Sequence, residues 1–96
     1  MSEDKELLTL AAKAAGIEIA HIELLGDDGW NPLTDDGDAL RLAVKLRMNV
    51  EFFDDVVWAF DNDYIDPIEE PYKDDPYAAT RRAIVRAAAE IGRGME

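Results

Sequence analysis

Ten carboxylates fall within residues 51–75: Glu51, Asp54, Asp55, Asp61, Asp63, Asp66, Glu69, Glu70, Asp74 and Asp75. Only one base, Lys73, stands among them. Carboxylates at this density can bind a metal, work as an acid–base pair, or meet a basic partner. The run Asp61-Asn62-Asp63 with Asp66 superficially resembles a calcium loop. Such a loop needs glycine at its sixth position and glutamate at its twelfth, and those positions hold Asp66 and Tyr72. No specific metal site is expected. Acid–base catalysis needs two carboxylates in different environments, and nothing here singles out one pair. The third use needs only a row of carboxylates that replaces phosphates against arginine and lysine. The ten acids are therefore the candidate partner-binding residues.

Other chemistry is poorly supplied. The chain has no cysteine, the single histidine His21 and the single serine Ser2. A Ser–His arrangement is not expected. His21 alternates with Ala20 and Ile22, which puts it on a solvent-facing or rim position of a strand. A glycine-rich phosphate loop is missing. No catalytic residue and no cofactor are expected, and the chain reads as a non-enzyme. Trp30, Asn31, Pro32 and Thr34, ahead of Asp35, can form a binding surface at a helix start. They read first as folding residues, with Trp30 packed on a sheet and Asn31 and Thr34 holding backbone amides. Arg81, Arg82, Arg86 and Arg93 make a small basic patch. Against a net charge of −12 they read as intramolecular partners for the 51–75 acids or for acidic helix starts.

Ninety-six residues with a 48% hydrophobic fraction fit one domain, 1–96, with an acidic exposed loop at about 61–75. The charge is uneven. Residues 1–50 carry ten acids and five bases, 51–75 ten and one, and 76–96 two and four. This field repels nucleic acid and anionic membrane and draws in basic partners. Met1-Ser2-Glu3-Asp4 shows no basic region ahead of an apolar run, so no signal peptide is expected. No apolar stretch approaches a membrane span. A cytoplasmic protein is expected.

The elements that must position these groups follow from periodicity. Ser2 caps a first helix with apolar positions Leu7, Leu10, Ala11 and Ala14, ended by Gly16 and Ile17. Ala20, Ile22 and Leu24 alternate as a half-buried strand. Gly26-Asp27-Asp28-Gly29 is turn chemistry. Thr34 or Asp35 caps a second helix from about Asp35 to Met48. Leu40, Val44 and Arg47 form one row of it, and Ala39, Leu42, Ala43 and Leu46 widen the apolar face. Residues 49–53 and 56–60 read as a hairpin around Asp54-Asp55, with a longer turn as the alternative. Residues 61–75 read as a wrapping loop anchored by Tyr64, Ile65, Ile68 and Tyr72. Asp75-Pro76 starts a third helix with Tyr77, Ile84, Ala88 and Ile91 buried, Arg82, Arg86 and Arg93 opposite, and Gly92 as its stop. The expected fold is a small α+β domain in the order helix, strand, helix, strand, strand, helix. Its helices pack on a three-stranded, mainly antiparallel sheet.

DGWNPLTDDGDALRLAVKL (Asp28–Leu46) resembles a segment of small phage and prophage proteins, and RRAIVRAAAEIGR (Arg81–Arg93) resembles their closing helix. The family is the phage alpha-beta-alpha (ABA) sandwich family, and the two segments cover about a third of the chain in the right order. The resemblance implies a phage origin and a sandwich fold, and carries no catalytic residues. With the charge, it leads to one expectation: a phage accessory protein in the host cytoplasm that binds a basic host protein. In its sharpest form it mimics nucleic acid, as DNA-mimic inhibitors and some anti-CRISPR proteins do. The alternative is a structural phage protein that self-associates, a homodimer included, through Phe53 and Tyr64, with no ligand. Neither reading expects direct contact with nucleic acid or membrane.

Overall fold

The computed structural model describes residues 3–17, 30–61 and 67–95. The expected strand at 20–24 and the turn at 26–29 lie outside them, as do Ser2, His21, Asp63, Tyr64, Ile65 and Asp66. The described elements are α1 (Glu3–Ala15), α2 (Asp36–Lys45), β1 (Asn49–Phe52), β2 (Val56–Phe60), β3 (Ile68–Pro71) and α3 (Pro76–Gly94). Three helices and a three-stranded antiparallel sheet make a small α+β domain. The third described strand comes from 68–71, within the stretch expected to be loop.

Local chemistry explains each boundary. Glu3, Asp4 and Glu6 fill the first turn of α1, where the helix dipole favours negative charge. Gly16 takes φ +77°. Its N–H donates to Lys13 O at 3.2 Å and the Ile17 N–H donates to Ala12 O at 2.8 Å, which closes the helix in a Schellman turn. α2 closes the same way with an arginine in the left-handed position. Arg47 has φ 55°, its N–H donates to Val44 O, and the Met48 N–H donates to Ala43 O. The helix therefore stops at Lys45, short of Met48. This reversal turns the chain out of α2 and into β1.

Hairpin β1–β2 closes on Asp54-Asp55, with Phe52 paired to Val57 and the Phe53 N–H donating to Val56 O at 2.9 Å. β3 then pairs with β2 and completes the order β1-β2-β3. Pro71 suits an edge strand, where its missing N–H costs no ladder bond. Inward positions Val57 and Ala59 are fully buried against α3. Val50 and Ile68 flank them as half-buried neighbours.

α3 is the central pillar. It packs on α1, α2, β2 and β3. Ala79, Ala83 and Ala87 face the sheet, while Ile84, Val85, Ala88 and Ala89 meet Leu7, Leu10, Ala11, Leu42 and Ala43. Gly92 lies inside α3 and does not stop it. A Cβ there would overlap the backbone carbonyl of Leu10. The glycine allows α1 and α3 to touch backbone to backbone. Several expected core positions are corrected. Leu40 and Val44 are exposed, because the buried side of α2 is Ala39, Leu42 and Ala43. Tyr77 is exposed at the helix start, and Ala14 and Ile91 are only half-buried. Among the described residues no helix is long and apolar enough to cross a membrane.

Candidate functional site

The acids of this chain fall into two sets once their partners are known. One set is engaged in the fold. Asp75 caps α3 and accepts from the N–H groups of Tyr77 and Ala78 at 3.0 and 3.1 Å. Glu70 points inward from β3 and pairs with Arg86, as strand register requires of a residue opposite Val57. Asp36 accepts from Arg81 at 2.6 Å, and the same arginine donates to Leu33 O at 2.8 Å. Arg82 meets Asp4 at 3.0 Å, and Arg93 lies 3.8 Å from Glu6. Each of the four arginines of α3 thus has an acidic partner, either at a helix start or in the 51–75 run.

Asp35 caps α2 by accepting from the Asp38 N–H at 2.8 Å. Asp38 accepts from the Asn31 N–H at 2.9 Å and from Arg41 at 2.8 Å. Burial pushes the Asp38 carboxyl up. The Asn31 amide and the hydrogen bond and charge of Arg41 outweigh that and hold it below the usual carboxylate value. Asn31 Oδ1 accepts from the Leu33 N–H, Pro32 is fully buried, and Trp30 packs on the helical cluster and not on the sheet. Every described residue of this loop has a folding task, which leaves no group there free for a ligand.

The second set decorates the sheet and its hairpin. The face turned away from α3 carries Asn49, Glu51 and Phe53 from β1 and its end, Val56, Trp58 and Phe60 from β2, and Glu69 and Pro71 from β3. Glu51 and Glu69 sit directly opposite Trp58 on either side. The Trp58 indole donates to Glu69 Oε1 at 3.2 Å. The Phe53 and Trp58 rings lie 5.1 Å apart, tilted by 58°. Asp54 and Asp55 form the exposed hairpin tip just beyond. Glu51, Asp54 and Asp55 have no ion pair with a described residue, and no lysine or arginine occupies the outward strand positions.

Of the ten expected binding acids, the structure brings Glu51, Asp54, Asp55 and Glu69 to one face. Asp61 follows β2, and Asp74 is exposed beside the start of α3. Trp58 was not among the expected site residues. Its segment, Val-Val-Trp-Ala-Phe, is apolar throughout, so alternation could not show which side it faces. Among the described residues no group of three or more histidines, cysteines or carboxylates is arranged to hold a metal ion. The arrangement can hold a cation on an aromatic platform between carboxylates. Comparisons with protein-family models, curated proteins and solved structures find no match to this chain.

Proposed function

We propose that this chain is a non-enzymatic accessory protein whose outer sheet face and hairpin tip bind a basic host protein. One observation carries the reading: Glu51 and Glu69 flank Trp58, with Asp54 and Asp55 beyond, and no lysine or arginine occupies the outward strand positions among the described residues. A guanidinium over an indole ring gains cation–π attraction, and flanking carboxylates add charge-assisted hydrogen bonds. Tryptophan is also a common energetic anchor of protein interfaces. The net charge of −12 speeds the approach of a basic surface and repels nucleic acid itself. A nucleic-acid-binding groove is the sharpest target, because its cations are spaced to meet phosphates. A phage origin is proposed on the two resembling segments alone, and with it an action inside the infected cell.

The test is capture from host lysate on immobilised protein, followed by elution with rising salt. Basic proteins should be retained at low salt and released as ionic strength rises. Added duplex DNA should displace a groove-binding partner. The variant Glu51→Lys/Asp54→Lys/Asp55→Lys should retain none of them, and Trp58→Ala should release them at lower salt. Equal retention by wild type and both variants overturns the reading.

A further inference from the structure

A second surface of a different kind lies between α2, the start of α3 and the inward side of the end of β1. Asp36, Leu40 and Val44 form a row along α2, and Lys45 and Arg47 stand at its far end. Leu40 and Val44 are 64% and 67% exposed, and nearby Phe52 and Tyr77 are 65% and 71% exposed. Leu40, Phe52 and Tyr77 rim a cleft of about 480 Å3 floored by Ala39 and Ile84. A single exposed apolar residue needs no explanation, but several large ones around one cleft mark an interface.

We infer that this surface joins two copies of the chain about a two-fold axis, with α2 packed antiparallel on α2 of the second copy. The order of charges along the row fits a second copy. The row has an acid at its start and bases at its end, with leucine and valine between. A two-fold axis near residue 42 sets Leu40 against Val44 of the second copy. It also brings Lys45 and Arg47 toward Asp36 and the aromatic rim of the opposite cleft. Such a surface is complementary to itself, as an isologous contact requires. A basic partner would meet Lys45 and Arg47 here, and an acidic one would meet the field of the whole chain. This face is distinct from the outer sheet face, so a dimer leaves Trp58 and its carboxylates open.

Sedimentation equilibrium of the full chain tests this, from micromolar to millimolar concentration at low and moderate salt. A monomer–dimer equilibrium is expected. It should tighten as salt screens the repulsion between two chains of net charge −12. Leu40→Ser/Val44→Ser should weaken it at least ten-fold with an unchanged circular dichroism spectrum, since both side chains are exposed in the single chain. Phe53→Ser, on the sheet face, should leave it unchanged. The chain has no cysteine, so register can be read directly. Mixed Leu40→Cys and Val44→Cys chains should cross-link to each other in preference to themselves on oxidation. A monomer at every concentration, a dimer lost with Phe53→Ser and kept in the double variant, or cross-linking without preference would overturn the inference.

Discussion

Asp4, Glu6 and Asp36 stand at helix starts, and each meets an arginine of α3, while Glu70 meets a fourth from the inner face of β3. Glu51, Asp54 and Asp55 are just as acidic and meet none among the described residues. These pairs link α1, α2 and β3 to α3; Glu70 is largely buried, while Asp4, Glu6 and Asp36 stay mostly exposed at the rim, where such pairs contribute modestly. The hairpin holds its acids in solvent, where they contribute little to stability. The difference shows that an overall charge of −12 does not by itself mark a binding surface. In the proposed reading the surface is set apart by Glu51, Asp54 and Asp55, which meet no cation among the described residues and lie beside Phe53 and Trp58.

If α3 is the pillar and the hairpin an appendage, the largest effect belongs where α3 has no room. Gly92→Ala places a methyl on the Leu10 carbonyl, and backbone cannot yield as a flexible side chain can. The expected loss exceeds about 4 kcal/mol, the range reserved for specific structural failures, and thermal or urea unfolding measures it. A shift under about 1 kcal/mol would show that α1 and α3 separate easily, and the pillar would lose its meaning.

The next pair of substitutions compares two faces of one helix. Leu42 is 2% exposed and Leu40 is 64% exposed. Leu42→Ala should cost about 2–5 kcal/mol and Leu40→Ala less than about 0.5 kcal/mol, both measured on dilute protein. Equal costs would mean that Leu40 is part of the core and not of a surface.

Asp38 tests whether the engaged acids stabilise the fold through their charge. Its carboxyl is held below the ordinary value by the Asn31 amide and Arg41, against the opposing push of burial. A group depressed on folding contributes fully above its unfolded pKa, near 3.9, and loses that contribution as pH falls through its folded pKa. Stability should therefore decline as pH drops below about 4. Asp38→Asn should cost about 1 kcal/mol at neutral pH and make the acid decline shallower. An unchanged slope would show that Asp38 acts only by its shape.

Much of this fold was legible because its boundaries are local. Asp75-Pro76 announces α3, Gly16 announces the end of α1, and Asp54-Asp55 separates two apolar runs. The misses were tertiary. Ile-Glu-Glu-Pro does not read as a strand, because its inward position holds a glutamate that only Arg86 on α3 makes tolerable. The apolar row Leu40–Val44 reads as core until another element has to cover it. Gly92 reads as a stop signal, since nothing in the chain reveals that Leu10 passes over it. The site divides in the same way. Composition located the acids of 51–75, but only strand register separates Glu69, which faces out beside Trp58, from its neighbour Glu70, which faces in.

The smallest expected effect closes the comparison. Glu51, Asp54 and Asp55 are exposed and have no ion pair among the described residues, and the region they belong to repels itself at neutral pH. Glu51→Gln/Asp54→Asn/Asp55→Asn should change stability by no more than about 0.5 kcal/mol, in the stabilising direction where it is measurable. The gain should shrink as salt is added, because screening already removes the repulsion that the substitution removes. The matched substitution Glu70→Gln takes away the partner of a half-buried arginine and should destabilise instead. Urea unfolding of both variants at low and moderate salt gives the two signs. Should the triple variant lose as much stability as Glu70→Gln, the hairpin acids are structural, and the distinction between engaged and available carboxylates disappears.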